Sequence, residues 1–70
     1  MSGSVYRVTE IIGTSEKSWE DAAKNAVESA SQSLKHMRVA EVVELDMTVS
    51  EEGKVTAYRA KVNISFKYEA

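Results

Sequence analysis

The chain has 70 residues, 43% hydrophobic and 29% charged, a balance that fits one globular domain over 1–70 and excludes a disordered segment. It has no cysteine and one histidine, which excludes disulfides, thiolate chemistry and a multi-histidine metal site within one chain. Nine Lys+Arg against eleven Asp+Glu, net charge −2, leave no electrostatic footprint for nucleic acid, and no apolar run approaches the ~20 residues of a membrane span.

Val5 to Ile12 reads as a strand, rich in β-branched residues, with Tyr6, Val8 and Ile12 on one parity and Glu10 among them. Gly13-Thr14-Ser15 is read as the turn that ends it. A helix is predicted from about 18 to 36. Ser18-x-x-Asp21 fits a capping box at its start. Trp19, Ala22, Ala23, Ala26, Val27, Ala30, Leu34 and Met37 form one apolar stripe at helical spacing. Lys35, His36 and Arg38 suit the negative end of its dipole.

Two long strands follow, Arg38 to Val49 and Lys54 to Tyr68, joined by the hairpin loop Ser50-Glu51-Glu52-Gly53. Pairing Val49 with Lys54 sets Leu45 against Tyr58, Val43 against Ala60 and Val39 against Ile64, with both apolar rows on one side. The same register places Glu44 opposite Arg59 as an ion pair and Glu41 on the apolar row opposite Val62. The predicted fold class is α+β: strand, helix, strand, strand, with the helix covering one face of a three-stranded sheet.

A domain this small orders its chain at roughly 1.5 kcal/mol per residue, on the order of 100 kcal/mol, which a small core barely offsets. One short helix cannot shield two strands of twelve to fifteen residues, and long open edges invite pairing between chains. Self-association is therefore expected. The opening Met-Ser-Gly-Ser-Val-Tyr-Arg lacks the apolar stretch of a signal peptide, so a cytoplasmic chain is expected.

The run Tyr6-Arg7-Val8-x-Glu10-Ile11-Ile12-Gly13-Thr14-Ser15, with Val39-Ala40-Glu41-Val42 and Val62-x-Ile64-x-Phe66, resembles the dodecin family over almost the whole length. The resemblance implies an antiparallel sheet in order 1-3-2 and a non-enzymatic homo-oligomer, a hollow dodecamer. It also implies a flavin (riboflavin, FMN or FAD) bound near subunit contacts for storage. In that pattern a tryptophan stands where this chain has Val39, immediately before Ala40-Glu41-Val42, and a glutamine where it has Arg59, next to Tyr58. Both recognition positions are replaced, and the only tryptophan, Trp19, is in the helix. The chain is more similar to a tryptophan-lacking branch called calcium dodecins, sharing Ser18-Trp19-Glu20, Arg38-Val39-Ala40, Asp46-Met47 and Tyr58-Arg59. That adds a calcium reading, with Glu44 and Asp46 as candidate ligands. No EF-hand loop is present, so such a site is read as one completed by other copies, the alternative being cross-strand pairing of these acids with Arg59, with Lys61 nearby. No nucleic-acid or membrane partner is expected. Tyr58, Phe66 and Tyr68 fall on the face opposite Arg59, Lys61 and Lys67, so they form no RNA-stacking surface.

Overall fold

The computed structural model describes residues 3–68. Strand β1 (Tyr6–Ser15) leads into helix α1 (Trp19–Ala30), and β2 (Met37–Val49) and β3 (Val55–Lys67) form a hairpin. The sheet is antiparallel throughout, in order β1-β3-β2. The expected α+β class, with one helix on a three-stranded sheet, is borne out.

The helix starts where its capping residue dictates. Ser18 is extended, and its Oγ accepts the backbone N–H of Asp21 at 3.0 Å. The reciprocal half of the capping box is replaced, because the Asp21 carboxylate accepts from Ser15 Oγ at 2.6 Å. Ser15 thus ties the end of β1 to the first turn of α1. Ser18→Ala is expected to cost about 1 kcal/mol in urea denaturation, whereas Ser18→Asp preserves the cap.

The helix is shorter than its apolar stripe. Ser31-Gln32-Ser33 form a turn closed by Leu34 N–H to Ala30 O at 2.8 Å. His36, at φ +63, then turns the chain into β2. Hydroxyl side chains compete with the helix for its backbone groups, so the run at 31–33 ends it. Lys35, His36 and Arg38 consequently lie past the helix end, and none of them caps the dipole.

The core is thin. Ala22, Ala26 and Ala30 of α1 meet Ala60, Val62 and Ile64 of β3, with Ile11, Ala23, Val27, Leu34 and Met37 packed around them. Gly13 does not end β1. It lies within the strand, opposite Ala60, where the helix backbone passes over it. The residues of β1 that face the helix are Thr9, Ile11, Gly13 and Ser15; Tyr6, Val8, Glu10 and Ile12 face the other way, onto an open sheet face.

The register of β2 on β3 departs from the expected one by up to two residues. Met47 pairs with Tyr58, Leu45 with Ala60, Val42 with Val62 and Val39 with Ser65. Three irregularities account for it. Arg38 and Val43 are extra residues on β2, and Thr56 is extra on β3. The hairpin loop is Ser50–Lys54, one residue longer than predicted, closed by Ser50 N–H to Lys54 O at 2.8 Å, with Gly53 at φ +80. Each bulge switches which side of the sheet the following residues face. Glu41, expected on the apolar row, therefore sits opposite Asn63 on the open face.

Helix α1 lies over β1 and β3 and hardly reaches β2. All of β2 past Met37 is exposed, Leu45 by 52% although it faces the helix side. The chain extends 57 × 20 × 16 Å with a radius of gyration of 14.6 Å, against about 11 Å for a compact domain of this length.

Candidate functional site

The open sheet face carries the charged residues in cross-strand rows. Arg59 grips Asp46 with two bonds, Nε to Oδ1 at 2.6 Å and Nη2 to Oδ2 at 2.7 Å. Lys61 Nζ meets Glu44 Oε1 at 3.0 Å. The expected Glu44–Arg59 pair is therefore not formed, because the longer hairpin loop and the extra Thr56 on β3 together move each acid two residues along β3. The hydrogen bonds from Arg59 hold the Asp46 carboxyl below the usual carboxylate range, and the charges of Arg59 and Lys61 act in the same direction. The same bonds push Arg59 up, and the bond to Glu44 pushes Lys61 up, helped by the charges of Glu44 and Glu10.

A depressed native pKa stabilises the fold above the unfolded value, and that stabilisation is lost as pH falls through the native value. Stability is thus expected to fall as the pH drops below the usual carboxylate range. Asp46→Asn is expected to flatten that part of the profile. Both groups are exposed, so the effect is small and weakens with salt. Urea midpoints at several pH values, at low and high salt, check it.

The four residues read from sequence as a cofactor site are not brought together. Val39 is opposite Ser65 and Glu41 opposite Asn63, whereas Arg59 is opposite Asp46. Six strand positions separate Ser65 from Arg59, about 20 Å. Tyr58 faces the helix side, where Trp19 meets it edge-on at 5.1 Å between ring centroids. The Trp19 indole N–H donates to the carbonyl of Asp46 at 2.9 Å, so this ring pins the helix start to β2 and is no platform for a ligand. Val39 is 58% exposed and presents no flat ring. The flavin pattern, an aromatic face with an amide to hydrogen-bond the ring edge, does not fit one chain.

Glu44 and Asp46 each have a cation already at hand. Among the described residues, no three acids or histidines gather closely enough to hold a metal ion. The sequence did not single out a third row, Glu10–Asn63–Glu41, which crosses all three strands on the open face. Asn63 lies at its centre, and its Oδ1 is buried without a hydrogen-bond partner. Such an atom is costly unless something satisfies it. The signal in the sequence was Asn63 itself, a polar residue in the centre of a long strand. The bulge that brings Glu41 beside it has no signature in the residues. Elsewhere, a groove of about 510 Å³ between β1 and α1 is lined by Thr9, Ile11, Asn25, Ala26, Ser29 and Leu34, among others, with no charged side chain.

No helix among the described residues is long and apolar enough to cross a membrane. Comparison with known proteins supplies the rest. The family model described as Dodecin matches residues 5–69. Calcium dodecin of Mycobacterium tuberculosis is 55% identical over 64 residues, covering 91% of this chain and 89% of that protein. Its crystal structure, described as a calcium-chelating antigen with a novel calcium-binding site, superposes with a TM-score of 0.81 at 52% identity, covering 94% and 93% of the two chains. A dodecin of Thermus thermophilus is 36% identical over 67 residues, 96% of each chain. The dodecin of Streptomyces coelicolor superposes with a TM-score of 0.89 at 34% identity, covering 100% of this chain and 99% of that one. On a match that takes in nearly every described residue, and on a shared β-α-β-β architecture, this chain belongs to the dodecin family.

Proposed function

We propose that the protein is a non-enzymatic homo-oligomer, a dodecamer on the family pattern, that binds calcium between sheet faces and has lost tight flavin binding. The observation that carries this reading is the buried, unpartnered Oδ1 of Asn63 between Glu10 and Glu41. Calcium takes six to eight oxygen ligands and accepts amide carbonyls beside carboxylates. This row offers one amide oxygen and two carboxylates, and other copies or water complete the shell. Glu44 lies in the next row and Asp46 one row beyond it, and both add negative charge at the cost of competing with Lys61 and Arg59. The relation to calcium dodecin supports the choice of ion, and the replacement of the flavin-recognition positions by Val39 and Arg59 supports the loss of the other ligand.

Calorimetry with calcium, compared with magnesium, tests the reading. Heat is expected for calcium with the unchanged chain, a clear loss of affinity for Asn63→Leu and Glu41→Gln, and a smaller loss for Glu44→Gln with Asp46→Asn. Flat traces with calcium reject it. The flavin reading keeps one observation in its favour, membership of the family, and it makes a separate prediction. Riboflavin or FMN fluorescence quenched at micromolar protein supports it, and no quenching up to millimolar protein removes it.

A further inference from the structure

We infer that β2 docks on the β2 of a second copy, antiparallel, about a two-fold axis passing near Leu45. This rests on the homo-oligomeric reading above and specifies the surface that it uses. Val42, Leu45 and Met47 lie on the side of the sheet where β3 is buried, opposite Val62, Ala60 and Tyr58. All three are exposed, because the helix stops short of the edge strand. They make an apolar strip centred on Leu45.

The charges outside that strip make it self-complementary. Arg38 stands seven residues before Leu45 and Glu52 seven residues after it, with Glu51 beside Glu52. Lys35 strengthens the basic end. The loop, Glu51 and Glu52 with Lys54, carries a net −1. Within one chain the two ends cannot meet, since they lie at opposite ends of β2. The Arg38 guanidinium donates to the neighbouring Met37 carbonyl, and among the described residues no acid pairs with it. An antiparallel second copy about Leu45 brings each Arg38 against the other copy's acidic loop, twice per contact, as an isologous interface requires. Parallel docking sets like charge against like. The bulges at Arg38 and Val43 interrupt the outward backbone ladder, so side chains on the helix-side flank carry the contact.

Sedimentation velocity over a dilution series tests it, with circular dichroism to confirm that each variant is folded. Glu51→Lys with Glu52→Lys is expected to raise the concentration at which the assembly dissociates by roughly tenfold at low salt, and Arg38→Glu to do the same. Combining all three substitutions restores opposite charges and is expected to return dissociation to that of the unchanged chain. The loop and Arg38 are exposed, and circular dichroism shows whether each variant is folded. An unchanged chain that assembles, with neither charge reversal altering its dissociation, overturns this inference and leaves the homo-oligomer standing. A triple variant that dissociates like the double one also overturns it. An unchanged chain that sediments as a folded monomer overturns the parent reading.

Discussion

Gly13→Ala is expected to abolish stable folding, with a loss of about 3 kcal/mol or more in urea denaturation at fixed protein concentration. A Cβ at this position would stand 2.1 Å from the Ala22 carbonyl oxygen, 2.8 Å from Ala26 Cβ and 2.9 Å from Ala26 N. Two of the three obstacles are helix backbone, which cannot rotate away. Relief requires α1 to lift off the sheet, and lifting it opens the contact of Ala22, Ala26 and Ala30 with Ala60, Val62 and Ile64, which is the whole buried core. A domain of this size has only about 3–5 kcal/mol to lose. The alanine variant is therefore expected to be largely unfolded, and any folded fraction to lose the protection of its core amides in hydrogen exchange. A midpoint equal to that of the unchanged chain would show that the helix does not sit this close. Gly53→Ala is the control. It strains a positive φ at an open loop but meets no neighbour, and is expected to cost about 1 kcal/mol.

The same glycine shows where the sequence could be read and where it could not. Gly13 followed by Thr14 and Ser15 has the composition of a turn, yet what it records is the close approach of its strand to the helix packed over it. Local composition carries no such distance. The alanine stripe at 22, 26 and 30 did carry it, since only small side chains let a helix come so near. The strand–helix–strand–strand order follows from periodicity and loop length, which are properties of whole segments, whereas the 1-3-2 sheet order follows from the family resemblance alone. The register of β2 is different. Three one-residue irregularities, at Arg38, Val43 and Thr56, cost little in pattern because Val42 and Val43 are interchangeable in hydrophobicity. Their effect on the candidate site is large. They pair Asp46 in place of Glu44 with Arg59, carry Glu41 to the open face and create the row with Glu10 and Asn63. A helix end, by contrast, was misplaced for a legible reason: the Ser31-Gln32-Ser33 run lies under an apolar stripe that continues at Leu34 and Met37 across a turn.

The second large effect concerns where the core volume comes from. Since α1 contributes alanines, the bulk is supplied by the sheet, and Ile64 and Val62 are the largest fully buried side chains. Ile64 is 1% exposed, between Thr9 and Ala40 in the register. Ile64→Ala removes buried methyl groups from a layer whose facing helix residues are alanines, so the gap is filled only as far as Val27 and Met37 beside it can shift. The expected loss is about 2–5 kcal/mol, most of the stability available. Ile12 is the matched comparison, the same residue type on the adjacent strand but on the open face and 48% exposed. Ile12→Ala is expected to cost less than about 1 kcal/mol. Urea midpoints of the two variants at one protein concentration separate the two positions. Equal losses would mean that the open face at Ile12 is as deeply covered as the helix face, which would require another copy to lie on β1. A dilution series then decides, because a loss that depends on such a contact shrinks as the protein is diluted, whereas the loss at Ile64, buried within its own chain, remains.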